Sequence, residues 1–364
     1  MNDILNKANL IIRKNRPKNA QNKLYTLFLR DGFAQVNFQS VGCRFDQTGS
    51  CIMCNYGTSK NLTSSEIINA FDEAFSKIEL PIRTILLGTL GSIFDPLEMP
   101  RDALHSILKR LSGVNCQNVI FETHYTTVDY ETIDIVKELL PGKNIEFEFG
   151  LESADQTILS GCLNKRFDLS YLDHVIQMAH KKQIEVTLNV ILGAPFLSSN
   201  EQIHDTLNSI SWAFNHNADF VVIFPVNIMP FTLLEYLYKN NQYQALSNWL
   251  LVELLHKLDS KYFDMISLAW FGNRDIIYGD QKRSIPPQGC EICHDVVLDF
   301  YEAFVNNRNT EYRKSLISEI MHYNMKCSCR DKMKKDLQNT IEINITDRLA
   351  QYHQFINSNL LDGG

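Results

Sequence analysis

Between residues 42 and 57 the chain reads GCRFDQTGSCIMCNYG, and three of these positions, Cys43, Cys51 and Cys54, carry thiols spaced C-x7-C-x2-C. Three thiols fall short of the four ligands a structural zinc site needs, and leave one over from a disulfide pair. They suit a [4Fe–4S] cluster in which one iron lacks a protein ligand and can take a substrate or cofactor. Gly42, Gly49 and Gly57 give the loop backbone freedom to wrap a compact group. Filler cysteines have no reason to gather in a glycine-bearing loop directly after a strand.

A second set, Cys290, Cys293, Cys327 and Cys329, reads C-x2-C…C-x-C and makes a complete four-thiolate complement. Two close pairs separated by a helix-sized insert fit either tetrahedral zinc or an auxiliary Fe–S cluster. CEICH also matches the C-x-x-C-H pattern of covalent haem attachment, which needs export to an oxidising compartment. The first twenty residues, MNDILNKANLIIRKNRPKNA, are polar and basic and hold no signal-peptide core. Haem is set aside on that ground, and nine cysteines in a cytoplasmic chain are expected to stay reduced. Cys116 reads as packing, and Cys162 as a neighbour of the pocket.

The elements that must carry these groups alternate. Apolar, β-rich runs at 34–41, 83–89, 117–123, 145–151, 184–192 and 218–226 are separated by amphipathic, helix-length segments such as 64–78 and 169–182. Six strand–helix repeats with buried strands predict right-handed βαβ units around a parallel sheet. Six are enough for a curled partial barrel, (β/α)6, and too few for a closed eightfold one. The fold class is therefore α/β, with a mainly helical, cysteine-bearing extension. The expected divisions are an N-terminal segment at 1–33, a barrel at 34–231, a helical extension at 232–282 and a metal-binding helical portion at 283–364. In parallel β/α architectures function collects at the carboxyl ends of strands, and Cys43 follows the first run directly.

Other polar residues fall at those ends. Gly88 and Thr89 close the second run and Gly91 and Ser92 follow it, where glycine exposes the backbone to a close ligand. Asp95 belongs to that loop or begins a helix. Glu122 ends the third run and Glu152 follows the fourth; a buried carboxylate there needs a donor. Asn164 and Lys165 follow the fourth unit, Asn189 lies on the fifth run, and Pro225 and Asn227 end the sixth.

The 364 residues are 45% hydrophobic and 21% charged, with a net charge of −7. That composition is globular, and the acidic balance argues against non-specific nucleic-acid binding. No apolar run is long enough to cross a membrane.

The chain resembles the radical S-adenosylmethionine (SAM) superfamily, in its elongator-type branch, and is similar to the radical SAM enzymes of archaeosine synthesis. The likeness is carried by GCRFDQTGSCIMCNYG, GTLGSIFDPLEMP at 88–100, FEFGLES at 147–153, LNKRF at 163–167 and the block at 225–250. It continues through IPPQGCEICHDVV and MKCSCRDKM.

The resemblance implies a [4Fe–4S] cluster on Cys43, Cys51 and Cys54, whose open iron binds the amino and carboxylate groups of SAM. It also implies reductive cleavage to a 5′-deoxyadenosyl radical. Gly88, Thr89, Gly91, Ser92, Glu122, Glu152, Asn164, Lys165 and Asn189 become SAM-site residues. So does His124, which stands where the branch usually has arginine. An electron donor such as flavodoxin or ferredoxin is implied.

Two substrate classes follow: a small biosynthetic molecule, which the acidic balance favours narrowly, or a tRNA base, as the resemblance implies. A rival from another class is a non-catalytic Fe–S or zinc scaffold, against which the intact triad and SAM-loop residues speak.

Overall fold

The computed structural model describes residues 2–16, 24–58, 62–78, 81–272, 284–323, 327–339 and 343–361. Met325 and Lys326 of MKCSCRDKM lie outside them. Eight strands form one sheet in chain order: β1 (Tyr25–Arg30), β2 (Phe33–Phe38), β3 (Thr84–Thr89), β4 (Asn118–Thr123), β5 (Asn144–Glu152), β6 (Glu185–Leu192), β7 (Phe220–Pro225) and β8 (Ile266–Leu268). From β2 to β8 every neighbouring pair is parallel. The six runs read from the sequence are β2 to β7, and the partial barrel stands as expected.

The structure adds a strand at each edge. Tyr25–Arg30 pairs antiparallel with β2 through the Asp31–Gly32 turn, and Gly32 takes φ +68° there. Only the second turn residue takes the left-handed conformation, which glycine adopts without the strain a β-carbon brings. This strand lies within the segment read as a plain N-terminal tail. Ile266–Leu268, three residues inside the stretch read as helical, extends the parallel sheet by pairing with β7. A strand that short leaves no readable alternation.

Helices flank the strands for the reason the periodicity gave. Ser64–Phe75 buries Ile67, Ala70, Phe71 and Ala74 on one stripe, and a Thr63–Glu66 capping box closes its amino end. Leu169–Lys181 likewise buries Leu172, Val175, Ile176 and Ala179 and is capped by Asp168. Between sheet and helices sits a core with Phe38, Phe71, Phe121, Phe147 and Phe149 almost wholly inaccessible. Each such ring contributes roughly 2 kcal/mol by leaving water. The opposite sheet face, by the two-residue alternation, carries Asn37, Gly88, Glu122, Glu148, Asn189 and Phe224.

Beyond the barrel the chain is helical at Leu233–Lys239, Asn248–Lys257, His294–Asn306, Thr310–His322, Cys329–Gln338 and Ile345–Ile356. The amino-terminal helix, Asn2–Lys14, packs against the last of these and against Leu233–Lys239.

Candidate active site

The three cysteines face one cleft at the carboxyl ends of the strands, together with Gly91, Ser92, Glu98, Glu122, His124, Glu152, Lys165 and Asn189. Phe167, Phe224 and Trp270 give it aromatic walls.

The cysteine loop is built on backbone contacts. Cys43 caps a short helix, Arg44–Gln47, and its N–H donates to the Tyr56 carbonyl at 3.2 Å. Cys51 takes φ +61° and donates its N–H to the Asn164 carbonyl at 3.1 Å. Beneath them lies Asp46, fully buried. Arg13 closes on its Oδ1, Arg16 reaches its Oδ2 at 2.6 Å, and the Gly57 N–H donates to it at 2.5 Å. Arg16 also donates to the Cys54 carbonyl, and Arg13 to that of Ser50. A β-carbon at Gly57 would lie 2.6 Å from the Asp46 carboxylate, so glycine is required there.

Cys51 and Cys54 stand with 5.6 Å between their α-carbons and their sulfurs side by side, and Cys43 is free. Two thiols placed to reach one small cluster also reach each other, and ligation uses both as thiolates. Burial and neighbouring Glu98 push the Cys43 thiol up to about 12; a bound cation reverses that preference.

Glu98, in the quoted motif but not singled out from sequence, knits this loop to the next. It accepts the Arg44 N–H at 2.7 Å and the Ser92 N–H at 2.6 Å. A β-carbon at Gly91 would stand 2.0 Å from its Oε2. Burial is the chief reason that Glu98 is raised to about 7, against the two N–H donors. Gly88 answers to a different crowding: a β-carbon there would meet Asn37 at 2.2 Å and Glu122 at 2.6 Å. Gly88 and Thr89 are not part of the cleft wall. Asp95 pairs with Arg44 at 2.6 Å.

Glu152 has φ +65° at a register shift in β5 and meets Lys165 at 2.5 Å, both side chains about seven-eighths buried. Asn164 lies behind the wall. Its amide donates to Asn6 and to the Gly49 carbonyl, holding the cysteine loop rather than facing the cleft. His124 stacks on Phe45 and Tyr125, and burial with nearby Lys165 and Arg44 lowers it to about 3, so its ring is neutral. Glu148, level with Glu122 on the adjoining strand, is raised to about 8 by burial and then by Glu122. Asn189 hydrogen-bonds to it. The Asn189 Oδ1 and the His124 Nε2 are buried in the wall without a protein partner. Cys162 is buried in the core, away from the cleft, and Cys116 sits 3.6 Å from Lys143.

Arg13, Arg16 and Asp46 had no sequence signal, because their partners lie up to 215 residues away. Glu148 had one: IEFEFGLE alternates carboxylates with apolar residues along a single strand.

No family model matches the chain. It is 27% identical over 308 residues to archaeosine synthase subunit beta of Methanosarcina acetivorans, covering 83% of this chain and 84% of that protein. To the protein of the same name from Thermococcus kodakarensis it is 25% identical over 310 residues, covering 82% and 90%. Among solved structures, a truncated Elp3 from Methanocaldococcus infernus matches with TM-score 0.46 and 17% identity, over 66% of this chain and 58% of that one. The half-barrel, the cysteine loop and the curated relatives agree with the radical SAM class, elongator-type branch, read from the motifs. Within that class the particular likeness is to archaeosine synthase subunit beta, and it spans more than four fifths of the chain.

Proposed function

We propose that this chain is a radical SAM enzyme whose cleft holds a [4Fe–4S] cluster and SAM. The observation that carries the reading is convergence: Cys43, Cys51 and Cys54 meet Glu122, Glu152, Lys165 and Asn189 in one cleft. The donor set fits the cofactors. Three sulfurs leave one iron open, and the unpartnered Asn189 Oδ1 is an acceptor for a polar ligand. When bound, the reduced cluster would supply one electron to SAM, whose C5′–S bond would break to give methionine and a 5′-deoxyadenosyl radical.

The chain's own residues bind and orient. Lys165 offers a cation to a carboxylate, and Glu152, already paired with it, accepts from an ammonium. Glu122 and Asn189 accept from hydroxyls. Phe167, Phe224 and Trp270 exclude water around the reacting carbon. On this reading residues 34–231 form the catalytic barrel, while 1–33, 232–282 and 283–364 support it. The protein works in the cytoplasm with a flavodoxin- or ferredoxin-like donor; among the described residues no helix is long and apolar enough to cross a membrane.

The substrate we assign is a tRNA base, in an archaeosine-type modification that involves a partner subunit, and the names of the curated relatives support it. A small biosynthetic molecule is the second reading, favoured by the net charge of −7. Anaerobic incubation with SAM and a strong reductant tests the chemistry, and absence of 5′-deoxyadenosine from iron-replete protein would overturn it. Binding of tRNA that weakens steeply with salt selects the first substrate class; no such binding selects the second.

A further inference from the structure

We propose that Cys290, Cys293, Cys327 and Cys329 hold one tetrahedral zinc ion, and that this ion pins the end of the chain to the wall of the cleft. The proposal is independent of the radical chemistry, since these thiols lie outside the SAM site.

The geometry decides between the two metals that the spacing leaves open. The four sulfurs all lie within 4.8 Å of one another, and those of Cys290 and Cys293 are 3.6 Å apart. Thiolates about 2.3 Å from a single tetrahedral ion stand roughly 3.8 Å apart. A cubane puts each thiolate on a different iron, which needs the sulfurs spread more widely. The four converge on one centre, and all four are free thiols.

The surroundings are built for that convergence. The Cys290 carbonyl accepts the N–H groups of Cys293 and His294 at 3.1 and 2.9 Å, forming a tight knuckle. Gly289 makes room for it, since a β-carbon there would lie 3.3 Å from the Cys293 sulfur. Arg330, beside the second pair, lies over the ring of Trp249, whose neighbour Asn248 meets the His294 ring at 3.2 Å beside the first. The two halves of the site are thus joined through packing as well as through sulfur.

From the knuckle the chain runs back to the cleft in five residues. The Asn248 N–H donates to the Gln288 carbonyl at 2.9 Å, and Ile285 exchanges two 3.0 Å hydrogen bonds with Ile228. Ile228 lies between Asn227 and Met229, both of which line the cleft. A fixed knuckle therefore holds the wall at Asn227–Met229 through the Ile285–Ile228 bridge.

The test uses full-length protein. A Cys43→Ala/Cys51→Ala/Cys54→Ala variant, purified anaerobically, should carry about one zinc per chain and no iron. Adding Cys290→Ser/Cys293→Ser to it should remove the zinc. Iron in place of zinc, zinc unchanged by the second pair of substitutions, or disulfides among the four cysteines would each overturn the proposal. In case the serine variant does not fold, the alanine variant is stripped with a chelator and titrated with Co2+. Visible bands of tetrahedral cobalt–thiolate, saturating at one ion per chain, are expected; none, or saturation at two, is the contrary result. Hydrogen exchange at the Ile228 and Ile285 amides should quicken on stripping and slow again with Zn2+. Unchanged exchange would refute the pinning.

Discussion

Arg16 reaches across the base of the cysteine loop to the Asp46 carboxylate at 2.6 Å, with both side chains almost wholly buried. The same guanidinium donates to the carbonyls of Cys54 and Phe231. One residue of the amino-terminal segment therefore ties together the acid under the loop, the third cysteine and the chain leaving β7. The contact explains how a loop of polar backbone keeps a fixed shape next to an open cleft.

Removing one partner of that network should cost more than removing a surface pair. Asp46→Asn leaves two buried arginines facing a neutral amide, and Arg16→Ala strips three acceptors at once. Breaking a buried ion pair costs about 3–5 kcal/mol. We expect both variants to melt several degrees lower and to take up less iron on reconstitution. Wild-type iron content and melting temperature in Asp46→Asn would show that the network is not what shapes the loop.

The triad itself gives a sharper prediction. Cys43→Ala, Cys51→Ala and Cys54→Ala should each abolish reductive SAM cleavage while circular dichroism stays native, because the three lie at the cleft and not in the core. Any single variant that kept the cluster absorbance and the cleavage activity would sink the ligand assignment.

Lys165 supports a third prediction. Lys165→Met keeps the length of the side chain but leaves Glu152, about seven-eighths buried, without its cation. The binding of S-adenosylhomocysteine, which carries the same carboxylate as SAM, should weaken about tenfold, or roughly 1.4 kcal/mol. Calorimetric titration of reconstituted protein measures this. Unchanged affinity would place the ligand carboxylate elsewhere.

Much of this was legible in the residues. Apolar runs bounded by turns located β2 to β7 because the face each strand turns to the helices is buried, as the alternation along β2 and β4 shows. The cysteine spacing, the glycine loop and the strand-end carboxylates reached the cleft because local sequence sets their place at a strand terminus. What escaped depended on distance along the chain. Nothing in the first twenty residues says that Arg13 and Arg16 meet Asp46, nor does LNKRF say that Asn164 turns back to the cysteine loop while Lys165 faces the cleft. A single residue of offset at a positive φ makes that division, and only the fold fixes it.

Glu98 gives a prediction in pH. Its carboxyl is 1% exposed and rises from its ordinary 4.5 to about 7, burial outweighing the N–H donors of Arg44 and Ser92. Because the folded state favours the neutral acid, the stabilisation is complete below about pH 4.5 and is lost as pH climbs through about 7. That interval corresponds to about 3 kcal/mol. Glu98→Gln is neutral at every pH and still offers one carbonyl to the two donors, so it should lose this part of the slope. Other raised carboxyls, Glu146 and Asp205 among them, titrate over the same range and keep some slope in both proteins. The difference between wild type and variant therefore isolates Glu98. Urea unfolding at pH 5 and at pH 7.5 should give a larger fall in wild-type stability than in Glu98→Gln, and parallel falls would mean that the carboxylate stays ionised between its two backbone donors.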